Sequence, residues 1–305
     1  MYDVVIIGGG PAGLTSGIYC SRALLDTCIY EKGALGGQII TTAHIENYPG
    51  VDGMDGFSLM IEFKKQAEKF GANIKSGKIN SIRLAEDGKT KILSVSDGTE
   101  ILTKSVIIST GARPNSLNVP GEAKFTGKGV SYCATCDGAF FRDKEIAVIG
   151  GGNAAIEEAI FLTRFASKVY IIHRRQGFRA AGIVLERAKK NPKIEFILDT
   201  VVEEFNGSEF LESIKIKNVI TNKESVLNVE GAFLYVGFMP NTEGLKESIK
   251  VDEKGFIITQ NNLETNIPGV FVAGDVRQKR LRQVVTAAGD GAEAAILCEM
   301  YVEKN

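Results

Sequence analysis

Three things are scarce in this chain of 305 residues: an excess of charge of one sign, long apolar runs, and histidine. Lys and Arg number 36 against 37 Asp and Glu, a formal net charge of −1. That balance argues against a nucleic-acid partner, which would call for a strongly basic domain. No apolar run approaches the ~18 residues of a membrane span, so no membrane partner is expected. Met1, Tyr2 and Asp3 lead straight into an apolar segment with no basic stretch or cleavage signal, the pattern of a chain without a secretory leader. Cysteines stand at 20, 28, 133, 136 and 298, an odd count without framework spacing. A cytoplasmic protein with one working pair fits this better than a disulfide-stapled secreted one. His44 and His173 are the two histidines. A zinc site built on Cys133 and Cys136 would therefore lack a second set of ligands at similar spacing, and no metal is expected. His44 itself lies in a polar loop, as a surface side chain or a ligand contact.

Apolar residues make up 44% of the chain and supply a core of ordinary size, enough for two domains. Residues 4–7 read as a buried parallel strand. A loop follows with Gly8, Gly9, Gly10, Pro11, Ala12 and Gly13, then a helix over 12–23 and a strand over 27–30 closed by Glu31. Strand, glycine turn, helix, strand and acid form the opening unit of a doubly wound sheet. The layout recurs as a strand over 145–149, a loop from Gly150 to Ala155, a helix over 154–165 and a strand over 168–172. Gly8 and Gly150 are 142 positions apart, as are Glu31 and His173. Residues 79–106 and 195–230 alternate apolar and polar residues and look like short antiparallel strands. Pro114 and Pro240 suggest links between domains. A strand ending in Gly274 and Asp275, followed by a helix within 282–301, would make a poor domain alone. We expect it to return to the first domain. The expected fold is α/β: two Rossmann-like three-layer nucleotide-binding domains, each with a small antiparallel β insert. The boundaries are 1–114, 115–241 and 242–305, the outer two segments forming one discontinuous domain.

In the first loop Gly8 suits a tight turn, Gly10 lets backbone approach a pyrophosphate, and Gly13 lets the helix pack on the strand. The helix N-terminus adds N–H groups and a positive dipole end. Glu31 can accept hydrogen bonds from a ribose diol. The second loop ends in Ala155, a permitted variant of the last glycine. His173, Arg174, Arg175 and Arg179 stand where the first unit has its acid. Guanidinium forks bind a phosphate that a carboxylate would repel, so this site is expected to prefer NADPH to NADH. Cys133 and Cys136 read as an inert structural pair or a redox pair. The spacing favours the second, because it lowers thiol pKa and permits a small-ring disulfide. Asp137 could shuttle a proton during thiol exchange, or cap the turn that follows. Cys20, Cys28 and Cys298 read as small buried hydrophobes. The basic run 277–282 reads as a solvated face, with Arg282 a flavin candidate and Lys279 and Arg280 able to steer an acidic partner. Two nucleotide loops and one dithiol imply a relay from nicotinamide to flavin to disulfide.

The chain resembles the low-molecular-weight bacterial and archaeal thioredoxin reductases over essentially its full length. The matching stretches are 8–13, 36–38, 46–50, 109–112, 133–138, 150–158, 173–180, Gly274 with Asp275, and Arg282 with Gln283. Higher-mass relatives such as glutathione reductase carry their cysteine pair near the first loop and add a dimerisation domain. The resemblance implies FAD at Gly8, Gly10, Pro11, Ala12, Gly13, Glu31, Gly37, Gln38, Asn47, Thr110, Gly111, Gly274, Asp275, Arg282 and Gln283, with Asp275 on the ribitol and Gln283 at the ring edge. It implies NADPH at Gly150, Gly152, Asn153, Ala154, Ala155, His173, Arg174, Arg175 and Arg179. Cys136 would face the flavin and Asp137 would be the acid/base. It also implies a homodimer formed through the FAD domains, and domains that rotate so that dithiol and nicotinamide visit one flavin in turn. The expected activity is reduction of oxidised thioredoxin, or a thioredoxin-like dithiol protein, by NADPH through FAD and the Cys133–Cys136 disulfide. A reductase of another small dithiol protein, driven by NADH, NADPH or ferredoxin, stays open. So does a non-catalytic redox-responsive module, although a sensor needs no adjacent acid.

Overall fold

The computed structural model describes every residue except Ala43, His44, Glu46, Asp52, Ala181 and Asn261. His44, and Glu46 of the matched stretch 46–50, thus lie outside the described residues. The chain divides into two compact units, Met1–Arg113 with Met239–Asn305, and Pro114–Phe238.

In the first unit, parallel strands run in the order Asn73–Ser76, Thr27–Glu31, Tyr2–Ile7, Glu100–Ile108, Val270–Val272. The last comes from the C-terminal return. Side chains alternate between two cores. Val4, Ile6, Ile29 and Ile107 face one; Val5, Ile7, Cys28, Val106 and Ile108 face the other. Strands buried on both faces are apolar throughout, hence the unbroken run at 4–7. Helices Pro11–Arg22 and Val284–Lys304 cover the first core. They cross so closely that a Cβ at Gly291 would lie 2.3 Å from the Ala12 carbonyl oxygen. The Ser16 hydroxyl also donates to the Gly291 carbonyl at 3.0 Å. The antiparallel insert, Ile79–Leu84 and Lys91–Val95, is not a detached sheet. Lys91–Val95 pairs with the first half of Glu100–Ile108, whose second half continues in the parallel sheet, so insert and core share one sheet.

In the second unit the parallel order is Ile194–Ile197, Lys168–Ile172, Glu145–Ile149, Gly231–Leu234, Val130–Ser131. The antiparallel insert expected from residue 195 begins instead at Thr200, with strands Thr200–Asn206, Ser213–Asn218 and Glu224–Asn228. Alternation alone could not separate them, since an edge strand of a parallel sheet shows the same pattern. Helix Asn153–Leu162 covers one core with Ala155, Ile156, Ala159 and Leu162. The insert covers the other with Val202, Phe205, Ile214 and Ile216. No helix among the described residues is long and apolar enough to cross a membrane.

Candidate active site: a dithiol turn and two glycine loops

Both glycine loops follow a central strand, and both are shaped by contact with backbone. Gly8 sits at φ +111°, where a Cβ would lie 2.4 Å from the Ser109 carbonyl oxygen. A Cβ at Gly13 would lie 1.9 Å from the Gly8 carbonyl oxygen, so the helix can rest on the loop only with glycine there. At Gly10 the nearest atoms are 3.9 Å away, and that face stays open. Pro11 and Ala12 begin the helix, whose N-cap, Gly10, makes no side-chain capping bond. First-turn N–H groups left in this way suit an anion. The Glu31 carboxylate reaches back to the loop, accepting the Gly9 N–H at 2.7 Å and the Gly33 N–H at 2.9 Å. Each oxygen keeps a further lone pair for a diol. Glu31, Lys32 and Thr110 line an open pocket.

Around this loop the first unit gathers segments distant in sequence. Gly36 donates its N–H to the Gly9 carbonyl at 2.8 Å. A Cβ at Gly37 would lie 3.4 Å from Gly10, and Gln38 is exposed beside it. Thr110 and Asn241 bond reciprocally at 2.7 and 2.8 Å, and Gly111 accepts the Asn241 N–H at 2.9 Å. The Asn47 amide donates to the Gln283 side chain at 3.1 Å across 236 residues. Gln283 itself caps the C-terminal helix in a box with Thr286. A Cβ at Gly274 would lie 2.9 Å from the Ala12 Cβ, which sets Asp275 beside the first loop.

Asp275 carries the clearest demand for a ligand. Among the described residues its buried Oδ1 has no hydrogen-bond partner. Burial pushes its carboxyl up to about 6, against the pull of Lys279 and Arg282. An acceptor left bare at such cost fits a ligand that brings hydroxyl donors. Arg282 is half-buried, its guanidinium 4.4 Å from the centre of the Phe256 ring.

The basic run 277–282 departs from a solvated face. Arg277 binds Asp290 through two 2.9 Å bonds and Lys279 binds it at 2.8 Å, with the Lys279 side chain 7% exposed. Asp290 also accepts the Gly274 N–H at 3.0 Å. Lys279 is spent inside the unit and cannot steer a partner; Arg280 is exposed. Asp290 was not foreseen, because Ala-Gly-Asp-Gly within a helix offers no local cue that its acid turns inward.

In the second unit Gly150 sits at φ +155°, where a Cβ would lie 2.7 Å from the Tyr235 carbonyl oxygen. Among the described residues nothing lies within 4 Å of a Cβ at Gly152, the N-cap of helix Asn153–Leu162. Asn153 and Ala154 are exposed in its first turn and Ala155 is buried beneath. The His173 ring lies against Gly151, stacks on Phe178 at 4.9 Å, and meets the Gly177 carbonyl through Nε2 at 3.1 Å. Burial holds its pKa below the ordinary value; the Gly177 bond opposes this, while Arg174, Arg175 and Arg179 reinforce it. All three arginines are exposed, and the Arg179 N–H is tied to the Gly151 carbonyl at 2.9 Å. This is a positive rim around an open loop.

Upstream of that loop Cys133 and Cys136 form a disulfide, half-buried, with Ala134–Asp137 as a single helical turn. The Ser131 hydroxyl donates to Asp137 Oδ2 at 2.6 Å and accepts the Cys133 N–H at 3.1 Å. The Tyr235 hydroxyl accepts the Ala134 N–H at 2.7 Å. Burial pushes the Asp137 carboxyl above its usual range, with the Ser131 bond opposing. Among the described residues Asp137 makes no capping bond to the next turn, so the capping reading fails. Ser131 and Tyr235 were not anticipated; no spacing rule singles out a serine before a dithiol or a tyrosine a hundred residues later. Cys20, Cys28 and Cys298 are free and buried.

The family model for pyridine nucleotide-disulphide oxidoreductases matches residues 2–291. The chain belongs to that family. Among its relatives, a thioredoxin reductase of Peptoclostridium acidaminophilum is 46% identical over 312 aligned positions, covering 100% of this chain and 98% of that one. One of Bacillus subtilis is 43% identical, with 100% and 96% coverage. A solved thioredoxin reductase of Streptococcus pyogenes superposes with a TM-score of 0.94 at 45% identity, over 100% of this chain and 99% of that one. The glycine loops and the dithiol described above are thus found in a member of a family named for pyridine nucleotide and disulfide together.

Proposed function

We propose that this oxidoreductase passes electrons from NADPH through FAD to the Cys133–Cys136 disulfide, and from there to oxidised thioredoxin or a thioredoxin-like dithiol protein. The observation that carries the reading is a half-buried disulfide with a buried acid beside it, in the same unit as a phosphate-ready loop with a basic rim. Bound FAD and NADPH supply the hydride and two-electron chemistry that side chains lack. In this reading the FAD domain is 1–114 with 242–305. It holds the cofactor through Gly8, Gly10, Pro11, Ala12, Gly13, Glu31, Gly37, Gln38, Asn47, Thr110, Gly111, Gly274, Asp275, Arg282 and Gln283, and the bare Asp275 oxygen takes the hydroxyl donors it lacks. The NADPH domain, 115–241, uses the loop from Gly150 to Ala155, with His173, Arg174, Arg175 and Arg179 on the 2′-phosphate.

Opening the disulfide releases a sulfur that needs a proton. Asp137, kept protonated more readily by burial, supplies one there. The dithiol then attacks the partner disulfide and resolves a mixed disulfide by exchange. Because dithiol and nucleotide loop share one unit, each must be presented in turn to a flavin on the other, which calls for reorientation between half-reactions. A homodimer is part of the same reading. Tyr19, Ile296 and Met300 expose apolar surface on the two helices that pack together in the first unit, and Ile296 and Met300 are one turn apart. A dithiol that must return to its reduced state suits the cytoplasm.

An anaerobic NADPH titration read at the flavin band tests the relay. Bleaching followed by recovery on adding oxidised thioredoxin is expected. Bleaching without recovery would exclude thioredoxin in favour of another dithiol partner, and no bleaching would overturn NADPH as donor.

A further inference from the structure

We propose that Ser131 is a positioning residue that fastens the Asp137 carboxylate to the dithiol turn and orients it for proton transfer there. This rests on Cys133 and Cys136 being the working dithiol. Ser131 ends the short strand Val130–Ser131, which is hydrogen-bonded to Gly231–Leu234, so its backbone belongs to the sheet and not to the turn. Its Oγ accepts the Cys133 N–H at 3.1 Å, which fills a lone pair and leaves the hydroxyl hydrogen to point at Asp137 Oδ2, 2.6 Å away. The other acceptor in reach of the hydroxyl, the Cys133 carbonyl, is longer at 3.4 Å, so the charge-assisted bond to Asp137 sets the favoured orientation. The carboxylate is thereby held two hydrogen bonds from the Cys133 backbone. The Asp137 N–H meanwhile donates to the Cys133 carbonyl at 3.1 Å.

The consequence is a controlled proton. When two electrons open the disulfide, the S–S bond breaks, one sulfur remains thiolate and the other takes a proton. Asp137 in its acid form gives that proton and recovers it when the disulfide closes again. The Ser131 bond favours the carboxylate and opposes burial, which pushes the carboxyl above its usual range. The other titratable groups near it are the two cysteines, the buried Tyr235 hydroxyl from the segment after Gly231–Leu234, and Glu158 of helix Asn153–Leu162, which faces Tyr235. Among the described residues no cation contributes to the Asp137 shift, which leaves Ser131 as its one opposing influence. The Tyr235 hydroxyl holds the Ala134 N–H independently, so the turn keeps an anchor when Ser131 is altered.

The test needs neither nucleotide nor thioredoxin. The purified full-length protein is reduced with dithiothreitol and then alkylated with iodoacetamide across the mildly acidic to mildly basic range, with Cys133 and Cys136 read separately by peptide mass spectrometry. We expect a carboxyl inflection in the thiol profile of the unaltered protein. Ser131→Ala should move it upward by about one pH unit, and Ser131→Thr, which keeps the hydroxyl, should restore it. Asp137→Asn should abolish the inflection, and Ser131→Ala added to it should shift nothing further. An unmoved inflection in Ser131→Ala, or an equal shift in the Asp137→Asn background, would overturn the proposal. If Ser131→Ala does not fold, failure of Ser131→Thr to reproduce the unaltered profile would overturn it. Failure of the thioredoxin assay alone would leave this result standing, so the two readings fail separately.

Discussion

Asp275→Asn should stabilise the cofactor-free protein while weakening its hold on flavin. Burial moves the Asp275 carboxyl from 3.8 to about 6 in the folded chain. The folded state therefore prefers the protonated form, and the penalty for holding the charge is absent in acid and complete above the folded pKa. A shift of about 2 units at ~1.4 kcal/mol each gives ~3 kcal/mol at about pH 8 and, by the same linkage, ~1 kcal/mol at about pH 4.5. Asparagine keeps the shape and removes the charge. Urea unfolding of flavin-stripped protein, followed by circular dichroism, should show the variant gaining ~3 kcal/mol at the higher pH and ~1 kcal/mol or less at the lower. Flavin titrated back should bind the variant more weakly, because the hydroxyl donors of the ligand would meet a weaker acceptor. A gain of equal size at both pH values, or none at the higher, would refute the claim that a buried charge awaits a ligand here. The trade of stability for a binding site is a common one.

Cys136→Ser should keep the yellow chromophore and lose all NADPH-dependent disulfide reduction in a thiol-release assay. Arg174→Ala combined with Arg175→Ala should raise the KM for NADPH roughly 10- to 100-fold, from loss of charge-assisted hydrogen bonds, and change that for NADH little. Steady-state rates with both nucleotides decide it. Asp290→Ala should cost about 3–5 kcal/mol in urea unfolding, since it strands the buried Lys279 beside the partly exposed Arg277. Burial alone would raise the Asp290 carboxyl, but the Arg277 and Lys279 bonds hold it below the usual value. Its contribution should therefore persist above the ordinary carboxylate range and fade only as pH falls through the lowered pKa.

Strand and loop signals were readable because they are local. A short unbroken apolar run and a turn at positive φ are set by neighbouring residues, and 4–7, 145–149 and the glycines at 8 and 150 carry those marks. The boundary at 195 failed for the same reason in reverse, since alternation describes one strand and not its partners. Side-chain commitments across the fold were illegible. Lys279 looked solvated because its partner, Asp290, lies 11 positions on in a helix whose inward face was unknown. Asp137 reads in the sequence as a proton shuttle or a cap, and the strand carrying Ser131, which decides what its carboxylate bonds to, is not legible there. Asn47 and Gln283 came from resemblance alone, and nothing in either segment announces that they meet.

The two nucleotide loops repeat one device and reverse its charge. Glu31 and His173 occupy the same place after an offset of 142, and so do Gly9 and Gly151. In the first unit a carboxylate at the strand end accepts the Gly9 N–H. In the second an imidazole lies against Gly151, and its ring is locked by Phe178 and the Gly177 carbonyl. Because burial and three arginines keep that ring below its usual pKa, it adds little charge of its own. Its part is to fill the space a carboxylate would take and leave the exposed guanidiniums to set the sign. In the proposed reading a phosphorylated ribose would be repelled at the first position and attracted at the second, and a free diol would be accepted at the first. In the same reading, replacing the acid by an imidazole and placing arginines beside it would separate the two nucleotides, while the glycine loops stay alike.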